Sequence, residues 1–327
     1  MLLLDAAERP LKPDLIDAAF RADVLDGLAS RPRAIPARWL YDERGSRLFE
    51  DITRLPEYYP TRTERAILQA HAPAIAVCVG GVRTVVEFGS GSSVKTPTLL
   101  SAIKPAAYVP VDISGEFLRT SAAKLATAFP LMAIHPVEGD FTRPVVLPAA
   151  AAAGRRLGFF AGSTIGNLAI GAAVDLLRAF GRTLGEDGML LIGIDRIKDV
   201  GLLVAAYDDA QGVTAEFNLN LLRRINRELG GTAPVDAFRH VARWNEAETR
   251  IEMHLEARRD VRFEIAGHMF SMAEGETIHT ENSHKYGPRD ARLLLRAGGW
   301  SPLAEWTDED GLFALYLAKT APPAAAP

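Results

Sequence analysis

Hydrophobic positions along the chain follow two different periods. Leu15, Ala18, Ala19, Ala22, Leu25 and Leu28 recur at helical spacing and predict an amphipathic helix over residues 14–29, ended by Ser30 and Pro32. Thr61-Arg62-Thr63-Glu64 has the form of a capping box and predicts the start of a second helix. From Thr84 onward, short apolar or β-branched runs alternate with helical stretches. The predicted strands are Thr84–Phe88, Ala107–Asp112, a short one over 134–137, Leu157–Ala161 and Met189–Asp195, with a helix over about 172–184. This alternation predicts a doubly wound, Rossmann-like α/β sheet. A helix from Pro288 through Leu295 and strands around 302–305 and 312–317 complete it as an antiparallel edge pair. Between Arg196 and Pro288 the alternation lapses for about 90 residues, too long for a loop, which predicts an inserted subdomain. Within it, Phe217–Leu221 reads as helix, and Thr249–Leu255 and Val261–Ile265 as strands.

Candidate chemistry gathers at the carboxyl ends of the predicted strands. Glu87-Phe88-Gly89-Ser90-Gly91 ends the first, and its glycines let the backbone turn without a side chain obstructing a ligand. A dinucleotide fingerprint needs a third glycine where the chain has Val94, which disfavours a pyrophosphate. An acid two positions before a short G-x-G is instead the turn that S-adenosylmethionine enzymes place under the amino-acid part of that molecule. Alone, it reads equally as a structural turn. Asp112 ends the next strand about 20 residues on, where a ribose diol meets a carboxylate. Asp140 and Phe141 follow the third strand and suit an adenine, the first accepting from its amino group and the second packing on its ring. Taken singly, either acid reads as a loop or cap residue. After the fourth strand, Gly162–Leu168 brings Asn167, whose amide can hold an amino acid's carboxylate or amine, or can satisfy turn backbone. Two aromatic, proline-punctuated loops, Ile35–Asp42 and Leu55–Pro60, offer pocket-lining rings or surface packing.

Composition narrows the class. The 327 residues are 48% hydrophobic, enough for a full core. A formal charge of −4 disfavours nucleic acid as a partner. The start, Met1–Asp5, lacks a signal peptide's basic flank, and no apolar run spans a membrane, so a cytoplasmic location is expected. The lone Cys78 lies in the apolar run Ala74–Val79 and is expected to be a buried structural thiol. Seven histidines show no metal-ligand spacing, so no metal is expected. The tail, residues 321–327, is expected to be disordered.

As a set, Leu55–Glu64, Glu87–Ser92, Gly162–Leu168 and Ala206-Tyr207-Asp208-Asp209 closely resemble the L-histidine N-alpha-methyltransferase family of ergothioneine biosynthesis, over about residues 14–320. The resemblance implies a class I methyltransferase domain (63–196 and 286–320) and an α+β substrate-binding domain (1–62 and 197–285) with histidine bound between them. It implies S-adenosylmethionine as methyl donor and free L-histidine as substrate, carried through mono- and dimethylated intermediates to hercynine; a monomer is the default expectation. By motif, Tyr58, Asn167 and Tyr207 hold the substrate's amino and carboxylate groups, Tyr58 and Asn167 being the catalytic pair. Tyr41 lines the same pocket, Glu281 and Ser283 read the imidazole, and Met253 packs on it. Gly89, Lys95, Asp112, Asp140 and Phe141 hold the cofactor. His284 and Tyr286 stand where the family pattern has a cysteine and a phenylalanine. Two alternatives stay open: the same fold acting on another amino acid such as tryptophan, and a non-catalytic cofactor-binding protein.

Overall fold

A computed structural model describes residues 18–91, 95–113 and 115–321. The expectations for Met1–Asp5, for the helix before Ala18, for Ser92–Val94 of the glycine turn and for 322–327 lie outside them.

In chain order, α1 (Ala18–Ala29) is followed by β1 (Arg33–Ala34), α2 (Glu43–Ile52) and α3 (Tyr59–Val79). Then come β2 (Val82–Phe88), α4 (Thr96–Ile103), β3 (Ala107–Asp112) and α5 (Gly115–Ala128). The third strand is split into β4 (Ala133–Ile134) and β5 (Val137–Glu138), which pair with different parts of β3; His135 and Pro136 interrupt it. Next are β6 (Arg155–Phe160), α6 (Ile170–Leu184), β7 (Met189–Asp195), α7 (Val200–Ala205) and α8 (Val213–Leu229). The strands β8 (Phe238–Asn245), β9 (Arg250–Ala257), β10 (Val261–Ile265), β11 (His268–Met272) and β12 (Thr277–His284) precede α9 (Pro288–Ala297), β13 (Trp300–Thr307) and β14 (Phe313–Thr320).

The chain divides into two compact units, 1–59 with 199–283 and 60–198 with 284–327. The second holds an eight-stranded sheet in the order β13-β14-β7-β6-β2-β3-β4, with β5 continuing the β4 edge. It is parallel except that β14 runs antiparallel to both β7 and β13. Both faces are covered, so the central strands are continuous apolar runs rather than alternating ones. Val86 and Phe88 pack with Leu176, Phe180 and Leu294 of α6 and α9, while Val85 packs with Ile67, Ile75 and Leu99 of α3 and α4. Phe88 stacks on Phe180 at 3.9 Å between centroids. This is the class I methyltransferase fold.

The other unit contains the sheet β1-β12-β9-β8 and the hairpin β10-β11. In α1 the buried stripe is Phe20, Val24 and Leu28, whereas Ala18, Ala19 and Ala22 face solvent. Alanine buries little area, so the large side chains decide the face, and Phe20 packs on Trp39 at 4.9 Å. Cys78 is exposed rather than buried: Ile75 and Val79, four apart, take the core side of α3 and leave Cys78 outside. Thr61–Glu64 does not cap a helix either. Helix α3 already begins at Tyr59, and the Glu64 side chain is fully buried with partners elsewhere.

Candidate active site

The glycine turn after β2 is held open from beneath. Gly89 and Gly91 take φ of 69° and 47°, values that favour glycine. A Cβ on Gly89 would lie 3.3 Å from the Phe141 ring, so the turn and Phe141 are neighbours. Asp112, at the end of β3, accepts from the Gly91 amide at 3.0 Å. Glu87 is buried under the turn, where Thr96 Oγ1 and the Tyr108 hydroxyl donate to its carboxylate. Burial raises its pKa to about 7 against the opposing pull of those bonds. Asp140 is exposed and forms an Asx turn, accepting from the Thr142 amide at 2.9 Å and the Thr142 hydroxyl at 2.6 Å. Phe141 is half-buried and packs edge-on against Phe160. Ile113, which follows Asp112, is 69% exposed. Ile113 thus leaves an apolar side chain in the open next in sequence to the Asp112 carboxylate.

Lys95, the residue before α4, is not on the surface. Its ammonium pairs with the carboxylate of fully buried Glu64. The same carboxylate accepts from the Gly162 amide at 2.9 Å. Gly162 opens the loop that carries Asn167, and two further bonds fix that loop. Ser163, at φ 57°, accepts from the Asp195 amide at 2.9 Å, and His284 Nδ1 donates to the Gly166 carbonyl at 2.8 Å. Asp195 is itself buried between Lys285 at 2.8 Å and Lys198 at 2.5 Å. Burial pushes the Asp195 carboxyl up, but the two ammoniums outweigh it and hold it below the usual range.

In the other unit the rings of Tyr41, Phe49, Tyr58, Tyr207 and Phe217 cluster edge-to-face, with centroids 5.3 to 6.2 Å apart. Asp42 caps α2 through the Gly45 amide and is bound by Asn220 and Arg227, which fixes the backbone beside Tyr41. Asp209 caps α8 through the Val213 and Thr214 amides. The Tyr207 carbonyl accepts from His240 Nε2 at 2.7 Å, and the Tyr207 hydroxyl is 2.7 Å from Ser283 Oγ. Burial raises the Tyr41 phenol well above its ordinary range, and the Glu281 carboxylate it bonds raises it further.

Exposure along β12 slips by one position at Thr280 and Glu281, both buried. Both faces of the strand are therefore buried at this end, with Glu281 and Ser283 on the face opposite Ile278 and Thr280. Met253 of β9 is buried, and its carbonyl accepts from the Thr280 hydroxyl. The structure therefore gathers Tyr41, Tyr58, Tyr207, Glu281 and Ser283 within one unit. It gathers Gly89, Asp112 and Phe141 within the other, where Lys95 and Asn167 lie on loops joined through Glu64.

Several participants escape sequence reading. Phe49 and Phe217 complete the aromatic cluster, and Ile113 flanks Asp112, with no motif to mark them. Glu252, His254 and His279 also converge, their ligand-type atoms within 4.8 Å of one another. Linear spacing hides this, because His279 comes from a different strand. The Glu252 carboxylate is engaged by Asn245, Arg250 and His254, and the two imidazoles stack at 4.8 Å. Burial lowers His254 to about 4, whereas the bonds on Glu252 outweigh its burial and bring it to about 2.

Comparison with known proteins places this geometry. The chain is 43% identical over 314 residues to the histidine N-alpha-methyltransferase of Mycolicibacterium smegmatis, covering 94% of this chain and 97% of that one. It is 44% identical over 307 residues to the protein of the same name from Mycobacterium tuberculosis, covering 92% and 94%. Ergothioneine biosynthesis protein 1 of Neurospora crassa is 31% identical over 295 residues, 87% of this chain but 33% of that one. A family model described as histidine-specific methyltransferase, SAM-dependent, matches residues 20–320. With that match running through the glycine turn, the Asn167 loop and the strand bearing Glu281, the chain belongs to the family of S-adenosylmethionine-dependent, histidine-specific methyltransferases.

Proposed function

We propose that the protein methylates the α-amine of free L-histidine three times, using S-adenosylmethionine, to give hercynine as an early step of ergothioneine biosynthesis. The observation that supports histidine over another amino acid is the buried Glu281 carboxylate, facing the Tyr41 phenol and sharing its strand with Ser283. A desolvated carboxylate accepts from an imidazole N–H. It is left without that donor when the side chain is an indole of different shape or an aliphatic one, which is how a polar site rejects analogues.

Bound S-adenosylmethionine supplies an electrophilic methyl on sulfur. Gly89, Asp112, Asp140 and Phe141 are assigned to hold it, with Lys95 beside the turn. Tyr58, Asn167 and Tyr207 orient the α-amine and carboxylate, Tyr58 and Asn167 acting closest to the reacting nitrogen. Each transfer breaks the S–CH3 bond, forms an N–CH3 bond and requires one proton to leave the nitrogen beforehand. The residues therefore align and desolvate a free lone pair, and no strong base is needed. The nitrogen loses its N–H donors round by round, so recognition has to rest on the unchanging carboxylate and imidazole. Aromatic faces of Tyr41, Tyr58 and Tyr207 suit the growing methylammonium. No metal enters this chemistry, and the active form is assigned as a cytoplasmic monomer without nucleic-acid or membrane partners. Among the described residues no helix is long and apolar enough to cross a membrane.

The test is mass spectrometry of the purified protein with S-adenosylmethionine and an equimolar mixture of the twenty amino acids. Trimethylation of histidine alone is expected. Methylation of tryptophan or another amino acid would overturn the substrate assignment, and no transfer at all would favour a non-catalytic role.

A further inference from the structure

The fully buried Glu64 carboxylate touches two segments of the methyltransferase unit that adjoin or carry proposed site residues. One loop contributes Lys95, which pairs with it just after the glycine turn. The other contributes the Gly162 amide, bound at 2.9 Å, five residues before Asn167. Strand β7 makes room for this arrangement: a Cβ on Gly193 would lie 2.1 Å from Glu64 Oε1. The Gly162 backbone, at φ 77°, neighbours the same ammonium: a Cβ there would sit in ordinary contact, 3.7 Å from Lys95 Nζ. A buried charge that is paired and doubly engaged is rigid, because moving it strands an ammonium and a backbone donor together.

We infer that Glu64 is a positioning residue that sets the two loops in register, aiming Lys95 at the cofactor's carboxylate while fixing the Gly162 amide and hence Asn167. The inference rests on the functional reading for the roles of Lys95 and Asn167. Glu64 touches neither cofactor nor substrate; it acts through its two neighbours.

The experiment is a double-mutant cycle with Glu64→Gln, Lys95→Met and the pair together. It reads S-adenosylhomocysteine affinity by calorimetry, the KM for histidine, and the melting temperature. Each single variant is expected to weaken S-adenosylhomocysteine binding about tenfold, and the double variant no further than about threefold beyond that, as coupled residues do. Glu64→Gln is expected also to raise the KM for histidine several-fold, and by more than Lys95→Met does, since only Glu64 bonds the Gly162 amide. Should Glu64→Gln fold poorly, the charge-neutral double variant compared with Lys95→Met isolates the Gly162 contribution. Multiplicative, uncoupled losses, or a lowered melting temperature with unchanged affinity and KM, would overturn the inference. If the wild type binds S-adenosylhomocysteine but leaves histidine unmethylated, the functional reading fails while the binding cycle still decides the role of Glu64.

Discussion

Replacing Gly193 with alanine tests whether the carboxylate strut is as immobile as its surroundings imply. The added Cβ would lie 2.1 Å from Glu64 Oε1 and 3.0 Å from both Glu64 Cδ and Phe313 Cε1, far inside van der Waals contact. Strand β7 cannot retreat, because it is bonded on one side to β6 and on the other to β14. The Glu64 carboxylate must therefore move, breaking its bond to the Gly162 amide and its pairing with Lys95. Overpacking costs about 1–3 kcal/mol, and losing hydrogen bonds to a charged group costs about 1.5–3 kcal/mol more. The sum, about 2.5–6 kcal/mol, corresponds to a fall in melting temperature of about 5–24 °C for a unit of this size. Gly171→Ala is the control. It lies in the first turn of α6 with nothing within 4 Å of an added Cβ, and it is expected to be neutral or to stabilise by about 0.5–1 kcal/mol. Differential scanning calorimetry of both variants reads the difference. A Gly193→Ala protein melting within about 2 °C of wild type would show that Glu64 is not held rigidly, since about 0.5–1 kcal/mol is too little for the displacement of a buried ion pair.

Glu281→Ala is expected to raise the KM for histidine by more than about tenfold while leaving S-adenosylhomocysteine affinity unchanged; steady-state kinetics and calorimetry separate the two. His254, lowered to about 4 from 6.5, stays neutral in the folded state while the unfolded chain takes up a proton. Its contribution is present above pH 6.5 and is lost as pH falls toward 4, on the order of 3 kcal/mol, and urea denaturation across that range should show the loss disappear in His254→Gln. Glu87 has the opposite sign. With its pKa raised to about 7, it stabilises the fold below pH 4.5 and that contribution is lost as pH rises through 7, so Glu87→Gln should flatten the stability profile over this interval.

Strands that cross the middle of the sheet were legible because burial on both faces writes them as unbroken apolar runs: Ala107–Asp112 and Met189–Asp195 have the same bounds in sequence and structure. Val261–Ile265, with one wet face, was legible from its alternation, but other wet-faced strands were not. The run β8 alternates poorly, with Arg239, Ala242, Arg243 and Asn245 leaving only Phe238 and His240 buried, and β11 is short and largely exposed. The exposed Cys78 and the misjudged face of α1 share one cause, since apolar composition names a helix's side only when the large side chains are weighted. Motifs marked the residues proposed to meet ligands, because turns, acids and aromatic loops have local form. The tether they depend on has none: Glu64 reaches Lys95 31 residues away and Gly162 98 residues away. In sequence it wears the form of a helix cap. The meeting of Glu252, His254 and His279 is hidden for the same reason.

On the proposed function, the α-nitrogen of histidine, and not its imidazole, receives all three methyl groups. Tandem mass spectrometry of the product formed from histidine and methyl-deuterated S-adenosylmethionine locates each label. All three deuteromethyl groups on the α-nitrogen, with an unlabelled imidazole and no label transferred by Asn167→Ala, is the predicted result. Label on a ring nitrogen, or a product that stops at one methyl under excess donor, would overturn α-nitrogen trimethylation.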